Sequence, residues 1–186
     1  MRLDDLNALD DEAAARAFLR CCGSSRWARQ MAAARPFAGA EAIADAADAI
    51  WSALDRADWL EAFASHPRIG ETRAVRVDGP VVAGRTGESA VSGEPDWSLQ
   101  EQARVADAAD QGLRRLVEAN RDYEARFGYI FIVCATGKTA AEVLALLGQR
   151  VRHDPGEELR IAAEEQRKIT QLRLKKLLER KADVTP

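Results

Sequence analysis

The chain has 186 residues, 47% of them apolar, which is enough for one domain with a real core. A net charge of -3 and a pI near 5.5 leave no electrostatic footprint for nucleic acid, and no apolar run reaches the length needed to span a membrane. Three cysteines, two of them neighbours, make no disulfide framework, and neither Cys nor His recurs at metal-ligand spacing, so no zinc is expected.

The chain opens on the acidic MRLDDLNALDDE, which lacks the basic and apolar regions of a signal peptide, and it closes on KADVTP, which is no peroxisomal address. A reducing cytoplasm is the expected compartment. Alanine dominates and aromatics are few, which favours closely packed helices. A first helix is predicted from Asp10 to Gly23, with Ala14, Phe18 and Cys21 on one face and the glycine as its stop. Ser24 and Ser25 then cap a second, which carries Trp27, Met31 and Ala34 at helical spacing and ends at Arg35-Pro36. A third, Ala40 to Leu54, puts Ile43, Ala47, Ile50, Trp51 and Leu54 on one stripe. A short fourth, Asp58 to Ser65, carries Trp59, Leu60 and Phe63.

That fourth helix runs into Ser65-His66-Pro67-Arg68-Ile69-Gly70. The proline biases His66 toward extended backbone, so the helix ends at about Ser65 and leaves the imidazole at the mouth of a loop. A helix C-terminus favours the protonated ring, which suits a general acid. The plain alternative is a helix-stop residue. Residues 71–96 are rich in Gly and Pro, with Val81-Val82 the only Val-Val pair. So long a structureless stretch reads as a lid or as a tolerated surface insertion.

The fifth helix is predicted from Trp97 to about Asn120. Ser98 and Glu101 have capping-box spacing, while Glu101 and Gln102 also present a polar pair at a helix start, where backbone N–H groups point outward. Tyr129-Ile130-Phe131-Ile132-Val133-Cys134-Ala135 is β-branched and aromatic, and by propensity reads as one buried strand. With no second strand to pair with, its backbone needs helix ends, water or a ligand, unless tertiary packing makes it helical. Thr136-Gly137-Lys138 lacks the upstream glycine of a P-loop. Thr139 and Glu142 form a capping box for a helix to about Arg152, where His153 reads as a solvated end residue. Asp154, Pro155 and Glu157 announce a last helix to about Lys181, which places Arg173 in line with Ala162, Gln166, Ile169 and Leu177. A guanidinium there needs either an anionic partner or a snorkelling path.

Four blocks taken in order, His66 to Gly70, Ser98 to Gln102, Asn120 to Ala135 and Ile169 to Leu174, resemble the 2-oxo-4-hydroxy-4-carboxy-5-ureidoimidazoline (OHCU) decarboxylases, which complete the conversion of urate to (S)-allantoin. The resemblance spans nearly the whole chain, from Cys22-Gly23-Ser24 and Arg35-Pro36-Phe37 to Leu172-Arg173-Leu174. It implies an all-α fold, here a single-domain bundle of about seven to eight helices over residues 1–186 with a flexible tail at 182–186. It also implies no metal or organic cofactor, a small-molecule substrate and a homodimer. The family's catalytic positions fall on His66, Glu101 and Arg173. Its substrate-binding positions fall on Pro67, Ser98, Gln102, Phe131, Ile132, Val133, Cys134 and Ala135.

On that reading His66 works as general acid–base at the hydroxyl-bearing carbon and delivers the proton that fixes the product's handedness. Glu101 holds the imidazole in its working state, and Arg173 holds the ring carbonyl or orients Glu101. Two other readings compete. One is a non-catalytic helical module binding a partner through the faces around Trp27 and Trp59, which predicts that His66, Glu101 and Arg173 are dispersed. The other is a hydrolase acting on a related ureido ring, with the Cys134 thiol as a candidate nucleophile.

Overall fold

A computed structural model describes residues 1–68 and 97–179, with the side chains of 97–110 left out of the description. Among the described residues there are eight helices and no strand: α1 Leu3–Asn7, α2 Asp11–Cys22, α3 Ser25–Ala33, α4 Ala40–Ser52, α5 Arg56–Ala64, α6 Trp97–Phe127, α7 Ala140–Arg150 and α8 Pro155–Glu179. The all-α expectation therefore holds. The expected lid at 71–96 and tail at 182–186 lie outside the described residues. No described helix is long and apolar enough to cross a membrane.

Local capping sets most boundaries. Asp10 accepts the Ala13 N–H at the start of α2, and Gly23 ends that helix in the left-handed region at φ 88°. Ser24 caps α3 through the Trp27 N–H, Asp55 caps α5 with Asp58 returning the bond, and Thr139 and Glu142 close the capping box of α7. α6 departs from expectation. It runs through Asn120 to Phe127, and Gly128, at φ 80°, is the residue that stops it, its N–H bonded to the Glu124 carbonyl.

α2 packs on α3 and α8, α3 on α4, and both α4 and α5 on α8, while α6 lies on α7. The apolar stripes read from the sequence supply the core: Phe18, Trp27, Met31, Ile43 and Phe63 are almost wholly buried. Each such side chain contributes about 1.5–3 kcal/mol relative to exposure. The indole N–H groups are satisfied inside, Trp27 on the Ala47 carbonyl at 3.1 Å and Trp51 on the Ala163 carbonyl at 3.0 Å. α8 is thus the central staff, and the residues of its inner face meet the ends of α2 and α5.

The 129–135 run corrects the strand expectation. It is neither strand nor helix, and it crosses the core as an irregular segment held by side chains. Asn120 Oδ1 accepts the Phe131 N–H at 3.1 Å, Arg150 Nη1 donates to the Ile132 carbonyl at 2.8 Å, and Glu165 Oε2 accepts the Cys134 N–H at 2.7 Å. β-propensity reports a fit to a buried surface, and this segment meets it against side chains instead of a neighbouring strand.

Candidate active site

The last carbonyls of α2 have no partner within their own helix. Two side chains of α8 take them up: Gln166 Nε2 donates to the Cys22 carbonyl at 3.2 Å, and Arg173 Nη1 donates to the Cys21 carbonyl at 3.3 Å. The negative end of the α2 dipole also suits a cation at this position. Gly23 allows the approach. A Cβ there would lie 2.1 Å from Ser65 Oγ, so α2 ends directly against the residue that precedes His66.

His66 follows the end of α5, its N–H on the Phe63 carbonyl, and its ring is half-buried with Nε2 2.7 Å from Gln166 Oε1. Just beyond it, Arg68 forms a two-pronged pair with Glu124 of α6 at 2.7 and 3.1 Å, which ties the exit of α5 to the bundle. The imidazole pKa is lowered from its usual 6.5, chiefly by burial and then by the Arg173 charge, with the Gln166 bond opposing. This overturns the expectation that the helix terminus would favour the protonated ring. At neutral pH His66 is a neutral base.

A cleft of about 750 Å³ opens here. His66, Pro67, Phe131, Ile132, Val133, Ala135 and Arg173 all line it, together with the 136–139 turn, Ile169 and the cations Lys138 and Lys176. The structure thus brings together seven of the eleven residues expected from sequence. Cys134 is not among the lining residues, although both its neighbours are. Its N–H is on Glu165 and its carbonyl accepts Lys138 Nζ at 2.9 Å. Ser98, Glu101 and Gln102 fall on the first turns of α6, and their side chains lie outside the described residues. No cluster of metal-ligating side chains occurs among the described residues.

The wall has a support that sequence reasoning missed. Glu158 of α8 is fully buried and accepts Arg150 Nε and Nη2 at 2.8 and 2.5 Å, the Tyr123 hydroxyl, and His153 Nδ1–H at 2.8 Å. Burial and the neighbouring carboxylate push the Tyr123 pKa well up, so its proton stays in place. Arg150 also lies 4.6 Å from the Phe131 ring centre. His153 is therefore no solvated end residue but the rim of a buried polar cluster. No spacing rule joins Tyr123, Arg150, His153 and Glu158, which come from three helices and a turn.

Together these features define an all-α protein with a cationic, histidine-bearing cleft sized for a small anionic molecule. The profile of the OHCU decarboxylase family matches residues 7–175, and the chain belongs to that family. It is 40% identical over 165 residues to the uric acid degradation bifunctional protein TTL of Arabidopsis thaliana, covering 88% of this chain and 47% of that one. The chain thus spans about half the length of that relative. It is 31% identical over 144 residues to the 2-oxo-4-hydroxy-4-carboxy-5-ureidoimidazoline decarboxylase of Mus musculus, covering 77% of this chain and 74% of that one. Among solved structures, an OHCU decarboxylase crystallised in the presence of (S)-allantoin superposes with a TM-score of 0.66 at 35% identity, over 91% of this chain and 99% of that one.

Proposed function

We propose that the protein is a decarboxylase that converts OHCU to (S)-allantoin and carbon dioxide in urate catabolism, without a cofactor. One observation carries the reading: a histidine made neutral by burial and an arginine line the same small cleft, in a chain of this family. The substrate's net negative charge matches the cationic character of the cleft, to which Lys138 and Lys176 contribute beside Arg173.

Loss of carbon dioxide leaves an electron pair on the hydroxyl-bearing carbon, which moves into the ring C=N bond. A solvent proton neutralises the ring nitrogen. The hydroxyl then becomes a carbonyl by giving up its proton, and the adjacent ureido-bearing carbon gains one. His66 takes the first proton and returns one to that carbon from a single face, which gives one enantiomer. An arginine that gripped the reacting carboxylate would stabilise the ground state, so Arg173 is assigned to the ring carbonyl, where charge develops. Pro67 and residues 131–135 orient the ring, as do Ser98 and Gln102 from α6, and Glu101 completes the catalytic set.

The fully free thiols suit a reducing cytoplasm, and a homodimer is proposed from the family resemblance. The interaction-module reading is disfavoured because His66 and Arg173 converge, and the hydrolase reading because the Cys134 side chain is not part of the cleft lining.

The test is circular dichroism of OHCU generated in situ by oxidising urate and hydrolysing the product. Spontaneous decay yields racemic allantoin and no lasting signal. The protein is expected to produce the lasting signal of the (S) form, and His66→Ala to lose about a hundred- to ten-thousand-fold in turnover. No acceleration by folded protein would refute the decarboxylase reading, and a His66→Ala chain of near-normal turnover would refute the acid–base role.

A further inference from the structure

Gln166 is an amide on the inner face of α8, fully buried and absent from the cleft lining. Its two amide hydrogens have two acceptors, the Cys22 carbonyl at 3.2 Å and Thr170 Oγ1 at 3.3 Å. A carbonyl only accepts, so the reverse orientation of the amide would set oxygen against oxygen. Oε1 must therefore face the imidazole, and it lies 2.7 Å from His66 Nε2. An oxygen acceptor there requires Nε2 to carry a hydrogen.

We propose that Gln166 is a positioning residue that locks neutral His66 as the Nε2–H tautomer, leaving Nδ1 as the nitrogen that exchanges protons with the substrate. The lock is anchored in the main chain at the end of α2, so the geometry of helix packing selects the tautomer. This inference rests on the decarboxylase reading for its consequence in catalysis, but not for the tautomer itself.

The other charges around the ring are consistent with a neutral His66. Arg173 and Lys176 come from α8 and Lys138 from the 136–139 turn, all cationic. The Cys21 and Cys22 thiols of α2 are pushed up to about 11 by burial and stay uncharged. Arg68 and Glu124, beyond Pro67, offset each other. Glu101 and the neighbouring side chains of α6 lie outside the described residues.

The chain has two histidines, so long-range proton–nitrogen spectra of the 15N-labelled protein resolve both rings, and His66→Asn identifies the signals that belong to position 66. The expected result is a protonated Nε2 and an unprotonated Nδ1 at neutral pH. Gln166→Glu places a carboxylate on Nε2 and should raise the His66 titration by about 1–3 pH units. The acid limb of kcat/KM should move up by the same amount, with KM unchanged at high pH. Gln166→Leu should lose the tautomer preference and lower kcat more than it raises KM.

A wild-type ring protonated on Nδ1 overturns the proposal, as does a folded Gln166→Glu chain whose His66 titrates as in wild type. The wild-type spectrum needs no variant, so a Gln166→Glu chain that fails to fold leaves the claim open to refutation. The spectra also need no substrate. The expected tautomer and titration shift in a chain without decarboxylase activity would uphold the lock and overturn only the functional reading.

Discussion

At the scale of single residues, the proposed chemistry turns on why His66 is neutral. Burial disfavours the imidazolium, Arg173 adds a like charge, and the Gln166 bond offsets only part of the two. Neutral His66 is the form that accepts a proton, so kcat/KM should fall on the acid side with a midpoint below 6.5 and stay flat through neutrality. Removing the neighbouring cation with Arg173→Met should move that midpoint upward, besides weakening substrate binding. A pH–rate profile checks both, and a midpoint at or above the free-imidazole value would contradict the assigned cause. The same shift has a stability consequence. The unfolded chain binds the His66 proton more readily than the folded one, so this contribution is present above about pH 6.5 and is lost as pH falls through the depressed folded value.

At the scale of elements, the irregular 129–135 segment is the part of the wall most exposed to perturbation. Two of its peptide groups hang on the side chains of Asn120 and Arg150, and Arg150 is itself fixed by a carboxylate with no contact with solvent. Arg150→Met removes the clamp on the Ile132 carbonyl and leaves Glu158 buried without its main counter-charge. The expected cost is about 3–5 kcal/mol by urea denaturation. In chains that still fold, KM should rise, because the wall is no longer held. Replacing both partners, as Arg150→Met with Glu158→Leu, should recover only part of that stability, because the Tyr123 hydroxyl and His153 lose their acceptor, and should not restore KM. If the single variant melted like wild type, the buried pair would not be what holds the segment.

At the scale of the whole molecule, the site is a junction of three helices, and Gly23 is the residue that lets them meet. Its φ of 88° disfavours any side chain, and the Ser65 hydroxyl fills the place of a Cβ. Gly23→Ala is expected to cost about 1–2 kcal/mol for the left-handed backbone alone, and more for parting α2 from α5. Because Cys21 and Cys22 orient Arg173 and Gln166, activity should fall further than the loss of stability explains. Thermal melts alongside the dichroism assay separate the two effects. A Gly23→Ala chain with unchanged melting and turnover would show that the close approach of α2 to α5 is dispensable.

The same three scales divide what could be read from residue order. Helix starts and stops at Asp10, Gly23, Ser24, Thr139 and Pro155 depend on groups within a few residues of one another, so the linear chain determined them. The apolar stripes likewise determined most of the helices, and four short blocks in order carried the family resemblance that implied the all-α fold. Asn120 shows the limit. It resembles a helix stop, yet it lies in mid-helix and spends its side chain on a peptide eleven residues further on. Only the tertiary structure decided that the 129–135 run is held by side chains instead of by a strand. It alone decided that His153 joins a buried carboxylate, and that His66 is neutral with its tautomer set by Gln166, 100 residues away. Burial, desolvation and acceptor geometry belong to surfaces brought together by folding, and none of them has a period in the sequence.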